Sequence, residues 1–235
     1  TLFRSFALDA WLSRTIISCG FAFWIAQMAM GLISLVYNSQ LGQYGGDTAI
    51  SVYAVVSSMM TFVIMPASGI SQGIQPIVGN NFGAGNYKRV MATLYQASAF
   101  SVAITCVIWV IVMVFPEAIR AAFGASEDMM AIGVPGLRAN FCITPILGFV
   151  MLVTTFFQSI AKPAPSIVIT FLRQILFLIP LIYILPLVWD INGIFMAQPV
   201  SDALALIISI FFVVREKRHL YGLLNHKGEA SLMPS

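Results

Sequence analysis

Charge is what this sequence lacks most. Asp, Glu, Lys and Arg make up 9% of its 235 residues while apolar residues make up 59%, against about 25% and 45–50% in soluble domains. Nine acids and 12 bases cannot solvate a globule of this size, and a mean hydropathy of +0.91 identifies an integral membrane protein. The pI of about 8.9 reflects a net charge of only +3, so no nucleic-acid surface is implied. Histidine is nearly absent. His219 and His226 both lie near the carboxyl end, which excludes an intramembrane Ser–His nucleophile, and one embedded acid, Asp202, excludes an aspartyl pair. No catalytic residue and no enzyme activity are expected. Cys19, Cys106 and Cys142 are far apart in apolar runs with no CxxC, so they read as packing residues rather than disulfides or zinc ligands. No metal and no cofactor are expected.

What is present is long apolar sequence. Six runs cover 15–40, 49–78, 90–115, 129–160, 164–188 and 191–214, each long enough for a helix to cross a bilayer core. An all-α bundle of six transmembrane helices is therefore expected, with a lead-in at 1–14, the bundle at 15–214 and a tail at 215–235. The turns between runs are LGQYGGD at 41–47, NNFGAGNYKR at 80–89, FGASED at 123–128, Lys162-Pro163 and Trp189 to Gly193. With the amino end cytoplasmic, that side carries Arg4, Arg14, Lys88, Arg89, Lys162, Arg215, Lys217, Arg218 and Lys227, and the other side only Arg120. The positive-inside rule thus places both termini in the cytoplasm. The chain opens at Thr1 without a short leader, so a half of something longer is expected.

Pro66, Pro76, Pro135, Pro145, Pro180, Pro186 and Pro199 interrupt four of the six runs, each removing a backbone donor and favouring a kink. Gly69-x3-Gly73 and Gly79-x3-Gly83 have the spacing that lets two helices approach closely. The Gly-rich stretch at 79–88 lacks the GxxxxGK[ST] spacing of a phosphate loop and follows an apolar helix, so a tight turn explains it. Arg138, Arg173 and Asp202 are embedded, at about 2.5–3.5 kcal/mol each unless paired or wet. Either arginine is placed to pair with Asp202. Gln27, Gln72, Gln75, Gln158, Gln174, Gln198 and Asn140 add polar groups that read first as interhelical hydrogen bonds.

The stretch from Gly69 to Val90, with Gln72, Gln75, Pro76, Gly79, Asn81, Gly83, Ala84 and Arg89 in place, resembles the signature "GxxQGxQPIxGxNxGAxxxxRV" of multidrug and toxic compound extrusion (MATE) transporters. Gly45-Gly46-Asp47-Thr48-Ala49-Ile50 is similar to the family's "GGDxAI" loop, and Phe157 to Lys162 to its "FQxxGK" ending, with Ala161 in place of Gly. Arg173-Gln174 and the Gly193 to Asp202 run add to a likeness that spans nearly the whole chain and is nearest to the bacterial branch of MepA-like proteins. The resemblance implies a twelve-helix protein of two six-helix lobes with drugs leaving between them, this chain being the second lobe, helices seven to twelve.

It also implies secondary multidrug efflux by H+ or Na+ antiport across the cell inner membrane. The partners implied are cationic amphipathic small molecules, membrane lipid, and either the amino-terminal lobe or a second copy of this one. Gln27, Arg138, Asn140 and Gln158 are candidate cavity residues; Asp202 and Arg173 are candidate coupling charges. Some branches carry cation-binding acids on helices seven and ten. The corresponding runs here, 15–40 and 129–160, have no such acid, so that site is not expected. The alternatives are a lipid-linked oligosaccharide flippase, which needs more cavity bases than two arginines, and a non-transporting membrane assembly protein whose buried polar groups only hold helices together.

Overall fold

A computed structural model describes residues 10–114 and 127–230, with side chains described at 28, from 30 to 114 and from 133 to 222. Among these residues the chain is all helix and turn. Helix α1 runs Ala10–Gly83 and breaks at Gly46 (φ 62°, ψ −158°). Next come α2 Tyr87–Val114, α3 Glu127–Phe141, α4 Thr144–Ser159 and α5 Pro163–Phe171. A π-helical turn, Leu172–Phe177, leads into α6 Leu178–Ile184. The last helix, α7 Pro186–Ala230, breaks at Trp189–Asp190, where Asp190 has φ 47°.

These elements trace the six expected runs. The break at Gly46 divides α1 into two legs, and α3 meets α4 at 44° as one bent span. The α5, π and α6 segments form the fifth run, and α7 after its break forms the sixth. By length and apolarity α1, α2, α5–α6 and α7 can each cross a membrane, as can the bent pair. Apolar side chains also cover the outside: Leu35, Phe62, Val107, Ile167, Leu187 and Phe211 are all exposed. Helices that are apolar all round need lipid on their outer face. This is a multi-pass membrane protein. The tail is helical from Arg215 to Ala230, continuous with α7; Arg120 and the turn at 123–126 lie outside the described residues.

Proline acts less uniformly than its chemistry suggests. Pro66, Pro76, Pro135 and Pro199 are carried inside helices. Pro145 and Pro163 sit in first turns, where no amide partner is lost. Pro180 has the larger effect. Its ring clashes with the carbonyl four residues back, at Leu176, and the turn around that residue widens into the π form.

Packing forms two apolar clusters. One joins Tyr37, Leu41, Val52, Val56, Phe141, Leu178, Ile182 and Phe195. The other joins Val78, Leu94, Val153, Phe156, Phe157, Ile169 and Leu220. The second lies toward the end of the bundle that carries the turns at Gly85 and Ala161. The close approach expected at Gly69, Gly73, Gly79 and Gly83 occurs elsewhere. Among the described residues nothing outside the helix's own neighbouring backbone comes within 4 Å of a β-carbon built on Gly69, Gly73 or Gly83, and at Gly79 the nearest atom is the Ser159 carbonyl oxygen at 3.4 Å. A tight contact between helices is found instead at Gly148, where a β-carbon would lie 2.5 Å from Ser101 Oγ, beside the Thr105 hydroxyl that donates to the Pro145 carbonyl at 3.3 Å. Small polar residues of α2 let it meet α4 closely, while the spaced glycines of α1 meet almost nothing.

Candidate functional site

The π turn and α7 together build the one embedded ion pair among the described residues. Arg173 Nε donates to Asp202 Oδ1 at 2.5 Å, and Gln198 Nε2 donates to the same oxygen at 3.2 Å. Ser201 Oγ donates to the Arg173 carbonyl at 2.5 Å, which also accepts the Leu178 N–H five residues on. Widening of the helix therefore positions both the carbonyl and the guanidinium of Arg173 against α7. Asp202 is 3% exposed, so these donors replace the water it has lost. The choice left open between Arg138 and Arg173 is settled by geometry. Arg138 is exposed and makes no ion pair among the described residues.

Arg173 and Gln198 also line a cavity of about 260 Å³. Its polar wall is Ser34, Tyr53, Ser57, Asn140, Arg173, Gln174 and Gln198; Met30, Met60 and Ile64 supply apolar surface. Asn140 is buried and donates to the Phe195 carbonyl at 3.3 Å, and its Oδ1 has no partner among the described residues. Tyr37 stacks on Tyr53 with ring centroids 4.7 Å apart. Its hydroxyl is buried and likewise without a partner among the described residues. The described part of this wall combines hydrogen-bonding groups, flexible thioethers and a tyrosine face. Such a surface suits a flat amphipathic guest held by adaptable contacts.

Of the expected cavity residues, Asn140 lines this wall, whereas Arg138 and Gln158 do not. Gln158 sits at the far turn and donates to Ser166 Oγ at 2.9 Å. The side chain of Gln27 lies outside the described residues. Tyr53, Ser57 and Ser34 were not singled out from the sequence. Their signal was faint: isolated hydroxyls in apolar runs, on two legs of one helix whose mutual packing depends on the break at Gly46.

The motif residues take a different place. Gln72, Gln75, Pro76, Gly83 and Ala84 are exposed, Gly79 and Asn81 partly so, while Ile74 and Val78 on the opposite side are buried. Their hydrogen bonds are local, Gln72 to Ser68 Oγ at 3.1 Å and Asn81 to the Ile77 carbonyl at 2.7 Å. Apart from Gly79, which comes close to the Ser159 carbonyl oxygen, the glycines of this stripe have no atom of another element near their β-carbon positions among the described residues.

At the other end, two turns share one design. After α1, the Gly85 N–H bonds to the Phe82 carbonyl at 3.0 Å and the Asn86 N–H to the Asn81 carbonyl at 2.8 Å. After α4, the Ala161 N–H bonds to the Gln158 carbonyl at 3.2 Å and the Lys162 N–H to the Phe157 carbonyl at 3.0 Å. Both are Schellman motifs, which need a left-handed residue. Gly85 has φ 72° and Ala161 has φ 56°. Alanine therefore stands where the backbone favours glycine.

Comparison with known proteins agrees with this architecture. A solved multidrug resistance MATE family transporter of the MOP superfamily, in an outward-facing conformation, superposes with a TM-score of 0.82 at 17% identity, over 94% of this chain and 50% of that one. The MATE multidrug transporter DinF-BH, solved as a complex, is 32% identical with a TM-score of 0.74, over 86% of this chain and 45% of that one. A protein of Shewanella oneidensis described as an FAD transporter is 20% identical over 175 residues, 74% of this chain and 37% of that protein. The chain thus spans half or less of the length of these relatives, which are described as transporters and not as enzymes. A model of the MatE family matches residues 23–184, and with the fold of one transporter lobe this establishes that the chain belongs to the MatE family.

Proposed function

We propose that this chain is the carboxyl-terminal lobe of a secondary multidrug exporter, which exchanges cationic amphipathic compounds for H+ or Na+ across the cell inner membrane. Both termini then face the cytoplasm, and the amino-terminal lobe, or a second copy of this one, covers the bare stripe of α1 at Gly69, Gln72, Gly73 and Pro76. The observation that carries the reading is the Arg173–Asp202 pair, with Asp202 buried and Arg173 on the cavity wall.

Asp202 can be neutralised by one cation at a time. While it holds Arg173, the pair contributes no net charge to the cavity and a cationic guest is tolerated. A proton or Na+ at Asp202 displaces the guanidinium, which then faces the cavity with its full charge. In a medium of low dielectric that charge repels a cationic guest strongly. Binding of the two cations is thereby mutually exclusive, as antiport requires. The same event removes one of the two ties between α7 and the π turn, so neutralisation shifts the balance between two packings of these helices.

Ethidium efflux from energised cells tests the reading, comparing these 235 residues alone with a version extended upstream in the native reading frame. Export by the extended form, lost when Asp202→Asn is introduced without loss of protein from the membrane, supports it. Unchanged export by the Asp202→Asn form removes Asp202 as the coupling group. Export by the short form assigns transport to a pair of identical lobes.

A further inference from the structure

The Lys162 end of the lobe holds a second polar cavity, unconnected with the Arg173–Asp202 pair. It has a volume of about 300 Å³ and is lined by Phe157, Lys162, Pro165, Phe212, Arg215, Glu216 and His219. Glu216 is 8% exposed and already occupied. Lys162 Nζ lies 2.7 Å from its Oε1, and His219 Nδ1 lies 3.8 Å from the same atom. Arg215 also lines the cavity and has no ion-pair partner among the described residues. One acid thus faces two permanent cations and a histidine, leaving a net positive cavity with a free guanidinium on its wall. Lys217 is engaged elsewhere, 5.4 Å above the ring of Tyr95 and 5.9 Å from that of Tyr221.

The surroundings restrict what fills it. Along α7, Phe211 and Ile207 are exposed one and two turns before Arg215; along α5, Val168 and Phe171 are exposed just after Pro165. Both rows are lipid-facing apolar surface that ends at the cavity. A guanidinium at the top of an apolar track is placed for a phosphate held at headgroup level, with its acyl chains running down the helices. Arginine matches phosphate oxygens in a fork of two N–H donors. Basic pockets between helix ends are a recurrent way of holding anionic headgroups.

We propose that this cavity is a binding site for the phosphodiester of an anionic phospholipid, with Arg215 as its principal ligand and Lys162 and His219 as flanking cations. Glu216 keeps Lys162 oriented and disfavours doubly charged anions. The aromatic base formed by Phe157 and Phe212, with ring centroids 6.2 Å apart, receives the glycerol end. The site depends on the lobe lying in a membrane and is independent of the transport reading.

The test is the retention of lipid by the purified full-length protein in nanodiscs of phosphatidylglycerol or of phosphatidylcholine, followed by native mass spectrometry and thermal unfolding. The wild type is expected to retain phosphatidylglycerol in preference and to unfold at a higher temperature with it. Arg215→Gln is expected to reduce that preference about tenfold, the factor corresponding to one charge-assisted hydrogen bond, while Lys217→Gln leaves it in place. Equal retention of the two lipids by the wild type overturns the proposal, as does an Arg215→Gln protein with undiminished preference. Stabilisation by inorganic phosphate alone equal to that by phosphatidylglycerol also overturns it, because the ligand is then a free anion.

Discussion

Two cation–carboxylate pairs among the described residues, Arg173–Asp202 and Lys162–Glu216, are made of similar parts in opposite surroundings. Arg173 and Asp202 are 18% and 5% exposed at the side chain, in mid-bundle; Lys162 and Glu216 are 38% and 11% exposed, at helix ends. The inner pair has a planar guanidinium bound through Nε, a second donor from Gln198 and a hydroxyl tie from Ser201 to the same turn. The outer pair has a single ammonium contact, with a histidine nearby. Depth decides their value. In low dielectric a charge without its partner is strongly unfavourable, whereas near water the two states differ little. One pair is therefore suited to switching, and the other to setting the charge of the cavity it lines.

The strongest way to break the comparison is to remove one inner charge. Asp202→Ala is expected to cost up to about 3 kcal/mol by leaving Arg173, most of whose side chain is shielded, without its partner, measured as thermal unfolding in detergent. The double change Arg173→Met with Asp202→Leu should recover most of that loss. Single losses under about 1 kcal/mol would place the inner pair in water and cancel the contrast. A packing control follows at Gly148. Gly148→Leu forces a side chain into Ser101 and should cost about 1–3 kcal/mol, whereas Gly73→Leu, with nothing within 4 Å among the described residues, should leave the stability of the isolated lobe nearly unchanged.

The two matching turns sharpen the comparison at the outer end. A left-handed conformation costs a β-carbon-bearing residue about 1–2 kcal/mol. Ala161→Gly should therefore raise stability, by up to about 1 kcal/mol once glycine's extra freedom in the unfolded chain is subtracted. Gly85→Ala should lower it by a similar amount, and the two melting temperatures should move in opposite directions. Smallest of all is Glu216→Gln. Its expected effect is under about 1 kcal/mol, diminishing further as salt screens the pair. A larger loss, insensitive to salt, would mean that Glu216 holds the cavity in shape.

Much of this was legible in the residues themselves. The six runs and their turns were readable because length and apolarity are local properties, and Gly46, Gly85 and Asp190 break helices inside the expected turn segments. The embedded charges were readable as well, because Arg173 and Asp202 stand out in apolar sequence. Their pairing was not, since Arg138 is equally conspicuous and only the rotation of each helix tells them apart. The closeness expected at Gly69 and Gly73 is not met among the described residues, and the reason is the same. Spacing identifies a smooth stripe but not what lies against it, and among the described residues of this lobe nothing does.

The sequence by itself determined the solvent of this protein, the course of its apolar helices and the places where the described backbone turns, because hydrophobicity, proline and glycine act on their immediate neighbours. Only the tertiary structure decided that Arg173 rather than Arg138 meets Asp202, that a π turn ahead of Pro180 aims it, and that Glu216 reaches back to Lys162 across 54 residues. These are contacts between distant segments. Their geometry depends on the rotation and offset of whole helices, which no single stretch of sequence specifies.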